Sequence, residues 1–249
     1  MIRMDYYFKK INMKTKIYWA PFFDEKENVD WSILYKQPES LHKKLIKNIN
    51  KTNLENNNLI YCPAVKNLTD RTFALKFPMD SHYQIKNQQI IYKSKNCIGA
   101  VKKHANNFTN NYLFVLNMSY AFFTEEDINM TLTAPYFSDS PHLKFGSIIP
   151  GKFNISKWFR NIDLEINLWT NKNELIIKEN EDIAYVHFDT DKQIELVRFE
   201  MNTNLHKMLR ACSTSSVWEK FVPFSKRYKR FKESLMNKKI IKEIKNSLI

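Results

Sequence analysis

The chain holds only three glycines in 249 residues, Gly99, Gly146 and Gly151, where average usage would give roughly 17. Phosphate-cradling loops, dinucleotide-binding turns and nucleophile elbows need glycine where the backbone turns sharply or approaches a ligand closely. None of the three glycines falls in such a spacing. The sequence therefore argues against P-loop enzymes, kinases and serine hydrolases of the usual kinds. It also passes the turns to Asn and Asp, which tolerate left-handed backbone better than other residues. Asn87-Gln88 and Asp189-Thr190-Asp191-Lys192 are the expected hairpin tips.

Between those turns the pattern is one of short strands. Residues 16–20 read as a strand stopped by Pro21. Pro38-Glu39-Ser40 then opens a helix through Leu41, Leu45, Ile46 and Ile49, with Ser40 as its N-cap. From 59 to 200 strands are expected at 59–62, 72–77, 82–86, 89–93, 112–118, 128–133, 164–169, 174–178, 183–188 and 194–199. They are rich in β-branched and aromatic residues. Regular short strands without intervening helices imply a mainly β fold, a β-sandwich or jelly roll. Residues 203–212 are weakly helical, and 226–249 form an amphipathic basic helix with an apolar stripe at Phe231, Leu235, Ile240, Ile244 and Leu248. The expected organisation is a basic N-terminal segment (1–15), one β-rich domain (16–200) and a C-terminal helical segment (201–249).

Hydrophobic content of 43% and aromatic content of 14% suffice for a sizeable core. No apolar run approaches the roughly 18 residues of a membrane span, and the first residues lack the apolar stretch of a signal peptide. Cys62, Cys97 and Cys212 are odd in number and form no CxxC pair. Free thiols in a reducing cytoplasm are the expectation.

The net charge is +13, of which residues 226–249 carry +7 and residues 1–16 carry +4, leaving +2 for residues 17–225. A near-neutral body argues against a broad nucleic-acid groove across the main domain. The basic side chains are 32 Lys and 7 Arg, and there are 27 Asn; Lys, Asn and Ile are residues of AT-rich codons. The C-terminal Lys226, Arg227, Lys229, Arg230, Lys232, Lys238 and Lys239 are the candidate contacts to a partner or to nucleic acid.

Few residues suggest chemistry. His187-Phe188-Asp189 ends a predicted strand, where positions two apart share a face. An imidazole and a carboxylate there supply two thirds of a 2-His-1-carboxylate Fe(II) site. The second His expected some fifty residues later is missing, since His206 follows by only 17 residues, and Asp189 also suits a turn start. Asp80-Ser81-His82 offers the same pair in a loop, where ordinary loop polarity accounts for it. Cys62 has no His nearby in sequence to activate it. Tyr18, Trp19, Phe22, Phe23 and Trp31 could stack on bases or sugars, but the expectation is core packing over an open end of the sandwich.

In order along the chain, Ile17-Tyr18-Trp19-Ala20-Pro21, Trp31-Ser32-Ile33-Leu34-Tyr35, Tyr61-Cys62-Pro63-Ala64, Asn167-Leu168-Trp169, Val197-Arg198-Phe199-Glu200 and Tyr228-Lys229-Arg230-Phe231-Lys232 resemble an uncharacterised family encoded by tailed phages, notably marine ones, and by some bacteria. The resemblance implies a phage origin and no established activity. The leading expectation is a non-enzymatic protein of the infected host cytoplasm or the virion. It would need no cofactor and would bind a protein partner or a second copy of itself. The alternatives are an iron-dependent dioxygenase using His187 and Asp189, and a nucleic-acid-binding protein using the basic ends.

Overall fold

The computed structural model describes residues 14–22, 31–52, 58–87, 89–94, 99–104, 111–213 and 224–249. The described residues begin with strand β1 (Lys14–Pro21), the two-residue β2 (Glu39–Ser40) and helices α1 (Leu41–Thr52), α2 (Asn58–Tyr61) and α3 (Pro63–Thr69). Strands β3 (Thr72–Lys76), β4 (Ser81–Lys86), β5 (Gln89–Tyr92), β6 (Ala100–His104), β7 (Tyr112–Phe123) and β8 (Asn129–Thr133) follow. Then come β9 (Gly146–Ile148), β10 (Gly151–Asn154), β11 (Asn161–Leu168), β12 (Glu174–Ile177), β13 (Asp182–Phe188) and β14 (Gln193–Arg198). Helices α4 (Thr203–Ser213), α5 (Phe224–Glu233) and α6 (Met236–Asn246) complete the described chain.

Alternation along the strands explains the layering. On β7, Phe114, Leu116, Met118, Tyr120 and Phe122 enter one buried cluster, while Ala121 and Phe123 enter another. The six-stranded sheet, in the order β14-β1-β7-β11-β9 with β6 also on β7, is therefore apolar on both faces. Its inner face meets the five-stranded sheet β10-β8-β13-β3-β2 and the three-stranded sheet β12-β4-β5. Its outer face is covered by the C-terminal helices through Leu205, Leu209, Phe231, Ile240, Ile241 and Ile244. The five-stranded sheet repeats the pattern. Phe73 and Val186 face the central core, while Ala74 and Tyr185 face outward and are capped by Leu41 and Leu45 of α1. The result is a mainly β, sandwich-like fold with helices outside the six-stranded and five-stranded sheets, and it agrees with the fold class expected from the strand pattern.

At one edge of the six-stranded sheet β14 pairs in parallel with β1, from Lys14 opposite Gln193 to Trp19 opposite Arg198. Asparagine does take the left-handed positions. Asn87, Asn171 and Asn180 have positive φ, as does Leu235, whereas no glycine among the described residues does. Gly146 is needed for a different reason. It lies opposite Leu168 on β11, and a Cβ there would sit 2.5 Å from the Asn167 carbonyl oxygen. Gly146→Ala is expected to cost about 2 kcal/mol through overpacking, read as a lowered midpoint in urea unfolding with an unchanged slope.

Three expectations are corrected. Residues 59–62 are not a strand; Asn58–Tyr61 are helical and lead into α3, which carries Pro63 in its first turn, where proline's fixed φ is pre-set for a helix. The C-terminal segment is two helices rather than one, divided at Leu235, which has φ 54°. That break leaves Leu235 and Leu248 exposed while Phe231, Ile240, Ile241 and Ile244 are buried. Finally, β6, β9 and β10 lie where no strand was expected. Phe23 and residues 1–13 lie outside the described residues, as does the side chain of Trp31.

Candidate functional site

The row of residues around His187 runs across one sheet. Lys152 on β10 is opposite Thr131 on β8, Thr131 is opposite His187 on β13, and His187 is opposite Thr72 on β3. Val186 and Phe188 point into the core, so His187 faces outward, half-buried. Thr72 donates its hydroxyl to the Leu68 carbonyl at 2.7 Å. The 3.1 Å contact between Thr72 Oγ1 and His187 Nδ1 then requires the imidazole to donate from Nδ1. Its Nε2 lies 3.8 Å from Asp189 Oδ1. Burial lowers the His187 pKa, and the opposing charge of Asp189 does not fully offset this.

The structure thus brings His187 and Asp189 together, as their spacing predicted, but gives each other partners. The Asp189 carboxylate is ion-paired with Lys152, and the Asp189 N–H donates to the Asn129 carbonyl at 2.9 Å. Among the described residues no group of three or more His, Cys, Asp or Glu side chains is arranged to hold a metal ion. Beside the pair, Arg71 lies 3.6 Å from Asp191.

Asp80 and His82 engage different groups. Asp80 Oδ1 accepts the Glu179 N–H at 2.9 Å, and His82 lies 3.3 Å from Glu174 across the β4–β12 pair. Cys62 is half-buried at the start of α3. Of the N-terminal aromatic residues, Tyr18 and Trp19 are buried in the two cores. The Tyr18 hydroxyl donates to Glu125 at 3.1 Å; burial and this partner push its pKa up to about 12. Phe22 stacks on His206 with ring centroids 4.8 Å apart.

The basic residues gather differently. Helix α6 turns Ile240, Ile241 and Ile244 inward, and Lys238, Lys239, Lys242 and Lys245 are exposed. Positions 238, 242 and 245 recur at helical spacing and share one stripe. On α5 the side chains of Lys226, Lys229, Arg230 and Lys232 are exposed; Arg227 lies on this helix, with its side chain outside the described residues. Lys245 pairs with Glu125 at 2.8 Å and Lys229 with Glu233 at 3.8 Å. Lys226, Lys238, Lys239 and Lys242 make no ion pair among the described residues. The apolar side of this layer is anchored by the side chains buried above, each contributing roughly 1.5–3 kcal/mol. The anchoring is completed at the chain's end, where Glu200 N–H donates to the Ser247 carbonyl at 2.8 Å.

Sequence reading missed the most buried charge. Asp182 opens β13 with its side chain fully buried and accepts from both Lys44 and Lys76. The Tyr185 hydroxyl donates to the same carboxylate at 3.3 Å. Burial alone would raise the Asp182 pKa, but the two ammonium groups outweigh it and hold the carboxyl below its ordinary range. Burial and the nearby Asp182 charge push the Tyr185 phenol well above its usual value. The available signal was an acid heading an otherwise apolar strand, Asp182-Ile183-Ala184-Tyr185-Val186. Asp182 also joins α1 to the sheet, because Lys44 comes from that helix and Lys76 is its register partner on β3. In comparisons with known proteins, no family model, no curated protein and no solved structure matches the chain.

Proposed function

We propose that the chain is a non-enzymatic interaction module that docks an acidic partner protein on the outer, lysine-rich face of its C-terminal helices. The observation that carries this reading is the arrangement of α5 and α6. Phe231, Ile240, Ile241 and Ile244 are spent on the β-sheet, while Lys226, Lys238, Lys239 and Lys242 are presented outward without ion pairs among the described residues. The near-neutral body, net +2 over residues 17–225, argues against a broad nucleic-acid groove and favours a protein partner. The resemblance to a phage-encoded family supports action in the infected cell or on the virion. The dioxygenase alternative draws on His187 and Asp189 alone, and the Asp189 carboxylate is already engaged by Lys152.

Retention of the full-length protein on immobilised polyglutamate and on single-stranded DNA tests the reading. The protein is expected to elute from polyglutamate at higher salt than the Lys238→Glu/Lys239→Glu variant. Equal elution of the two proteins would overturn the reading, and tighter retention on DNA than on polyglutamate would replace it with nucleic-acid binding. Stoichiometric Fe(II) binding that is lost in His187→Ala would favour the enzyme instead.

A further inference from the structure

At the open side of the sandwich, β14 faces the 36–40 segment across a cleft of about 490 Å³. Phe73, Ile194 and Leu196 give the cleft apolar walls, and Lys36, Lys43 and Lys76 stand around it with Glu39. Lys76 is committed to Asp182 and Glu39. The Lys36 ammonium donates to the neutral side-chain oxygen of Asn180, and neither it nor the exposed Lys43 makes an ion pair among the described residues. Two cations therefore border the cleft without a carboxylate partner among the described residues.

The cleft runs along a strand edge. Among the described residues strand β14 is the last in the order of its sheet, and its backbone directions follow from its far end. The Phe199 N–H donates to the Trp19 carbonyl on β1 at 3.1 Å. Its neighbours face the other way: the Arg198 carbonyl accepts from Ile249 N–H at 3.3 Å, and Glu200 N–H donates to Ser247 at 2.8 Å. By alternation, the amides of Ile194 and Leu196 face the same outer edge as Arg198. The Phe199–Leu248 bridge is antiparallel. A strand continuing that line would pass Val197, Leu196, Glu195 and Ile194 and enter the cleft. The chain's own residues 247–249 thus show that this edge accepts an extended segment.

We propose that an extended acidic peptide adds to the outer edge of β14 as an antiparallel strand. Its apolar side chains would pack on Phe73, Ile194 and Leu196, and its carboxylates would meet Lys36 and Lys43. In strand addition the main-chain bonds supply affinity and alternate side chains supply specificity. This site shares no residue with the lysine face of the C-terminal helices and stands whether or not that face binds a partner.

The probe is a fluorescein-labelled eight-residue peptide of alternating valine and glutamate, titrated into the full-length protein and followed by anisotropy. Saturable binding is expected, weakened at least tenfold in Lys36→Glu/Lys43→Glu and unchanged in Lys86→Glu/Lys93→Glu, whose exposed side chains lie outside the cleft and outside the C-terminal helices. Hydrogen exchange at the Ile194 and Leu196 amides is expected to slow when the peptide is bound. Absence of saturable binding, equal weakening by both double variants, equal binding of a valine–lysine peptide, or unchanged exchange at Ile194 and Leu196 would each overturn the proposal.

Discussion

Ile244→Asp is expected to cost about 4 kcal/mol, or to prevent folding, because it places a carboxylate where α6 is fully buried against the sheet. Two effects add. The lost burial of an isoleucine accounts for roughly 2 kcal/mol, and a charge without a buried partner adds at least as much. Ile244 sits in the outer cluster with Phe159, Phe199, Leu205, Leu209 and Ile240, which joins the helical layer to the six-stranded sheet. Chemical denaturation followed by tryptophan fluorescence would report the loss. Ile244→Val, which keeps the apolar contact, should cost no more than about 1.5 kcal/mol. Equal, near-wild-type stability of the two variants would mean that the helix is not held by this face.

Asp182→Ala should cost about 3 kcal/mol, since removing the buried carboxylate takes the ion-pair partner from Lys44 and leaves Lys76 only the longer contact with Glu39. The groups left are Lys44, Lys76 and the Tyr185 hydroxyl. For a chain of this length the loss corresponds to a melting temperature roughly 10 °C lower. The effect depends on pH in a definite direction. The folded-state pKa of Asp182 is depressed, so its contribution is fully present above the unfolded carboxyl value of about 3.9. It is lost as pH falls through the lower folded-state value. The stability gap between wild type and Asp182→Asn should therefore be constant at neutral pH and shrink only below about pH 4. A gap that grows on acidification would contradict the assigned ionisation.

Much of the architecture was written in local pattern. Strands at 16–20, 72–77, 82–86 and 183–188 were legible because short runs rich in β-branched and aromatic residues end at turn residues, and the structure places β1, β3, β4 and β13 there. The helix after Ser40 was legible from its spacing of Leu41, Leu45 and Ile49. Strand β6 was not, because Ala100-Val101-Lys102-Lys103-His104 carries two adjacent lysines that blur the alternation. Strands β9 and β10, of three and four residues, are too short for periodicity to register. The break at Leu235 has no glycine or proline to announce it. The parallel pairing of β1 with β14 joins residues about 180 positions apart, and no local pattern encodes it.

The same division runs through the candidate sites. That His187 and Asp189 lie together followed from their spacing on a strand. That Lys152 takes the carboxylate could not be read, because Lys152 arrives on β10, one of the unforeseen strands. The Asp182 group joins a helix and two strands, so its members are scattered in sequence. The outward lysines of α6 were legible because the apolar and basic positions of one helix are recorded in a single short run.

The most direct test of the binding face is the affinity of the full-length protein for fluorescein-labelled polyglutamate at low salt, compared with that of Lys238→Glu/Lys239→Glu. Both lysines are exposed, so the melting temperature should be unchanged. Reversing two charges that each supply up to about 1 kcal/mol of pairing should weaken binding roughly tenfold. Unchanged affinity in a variant of unchanged stability would contradict the assignment of this helical face as the docking surface.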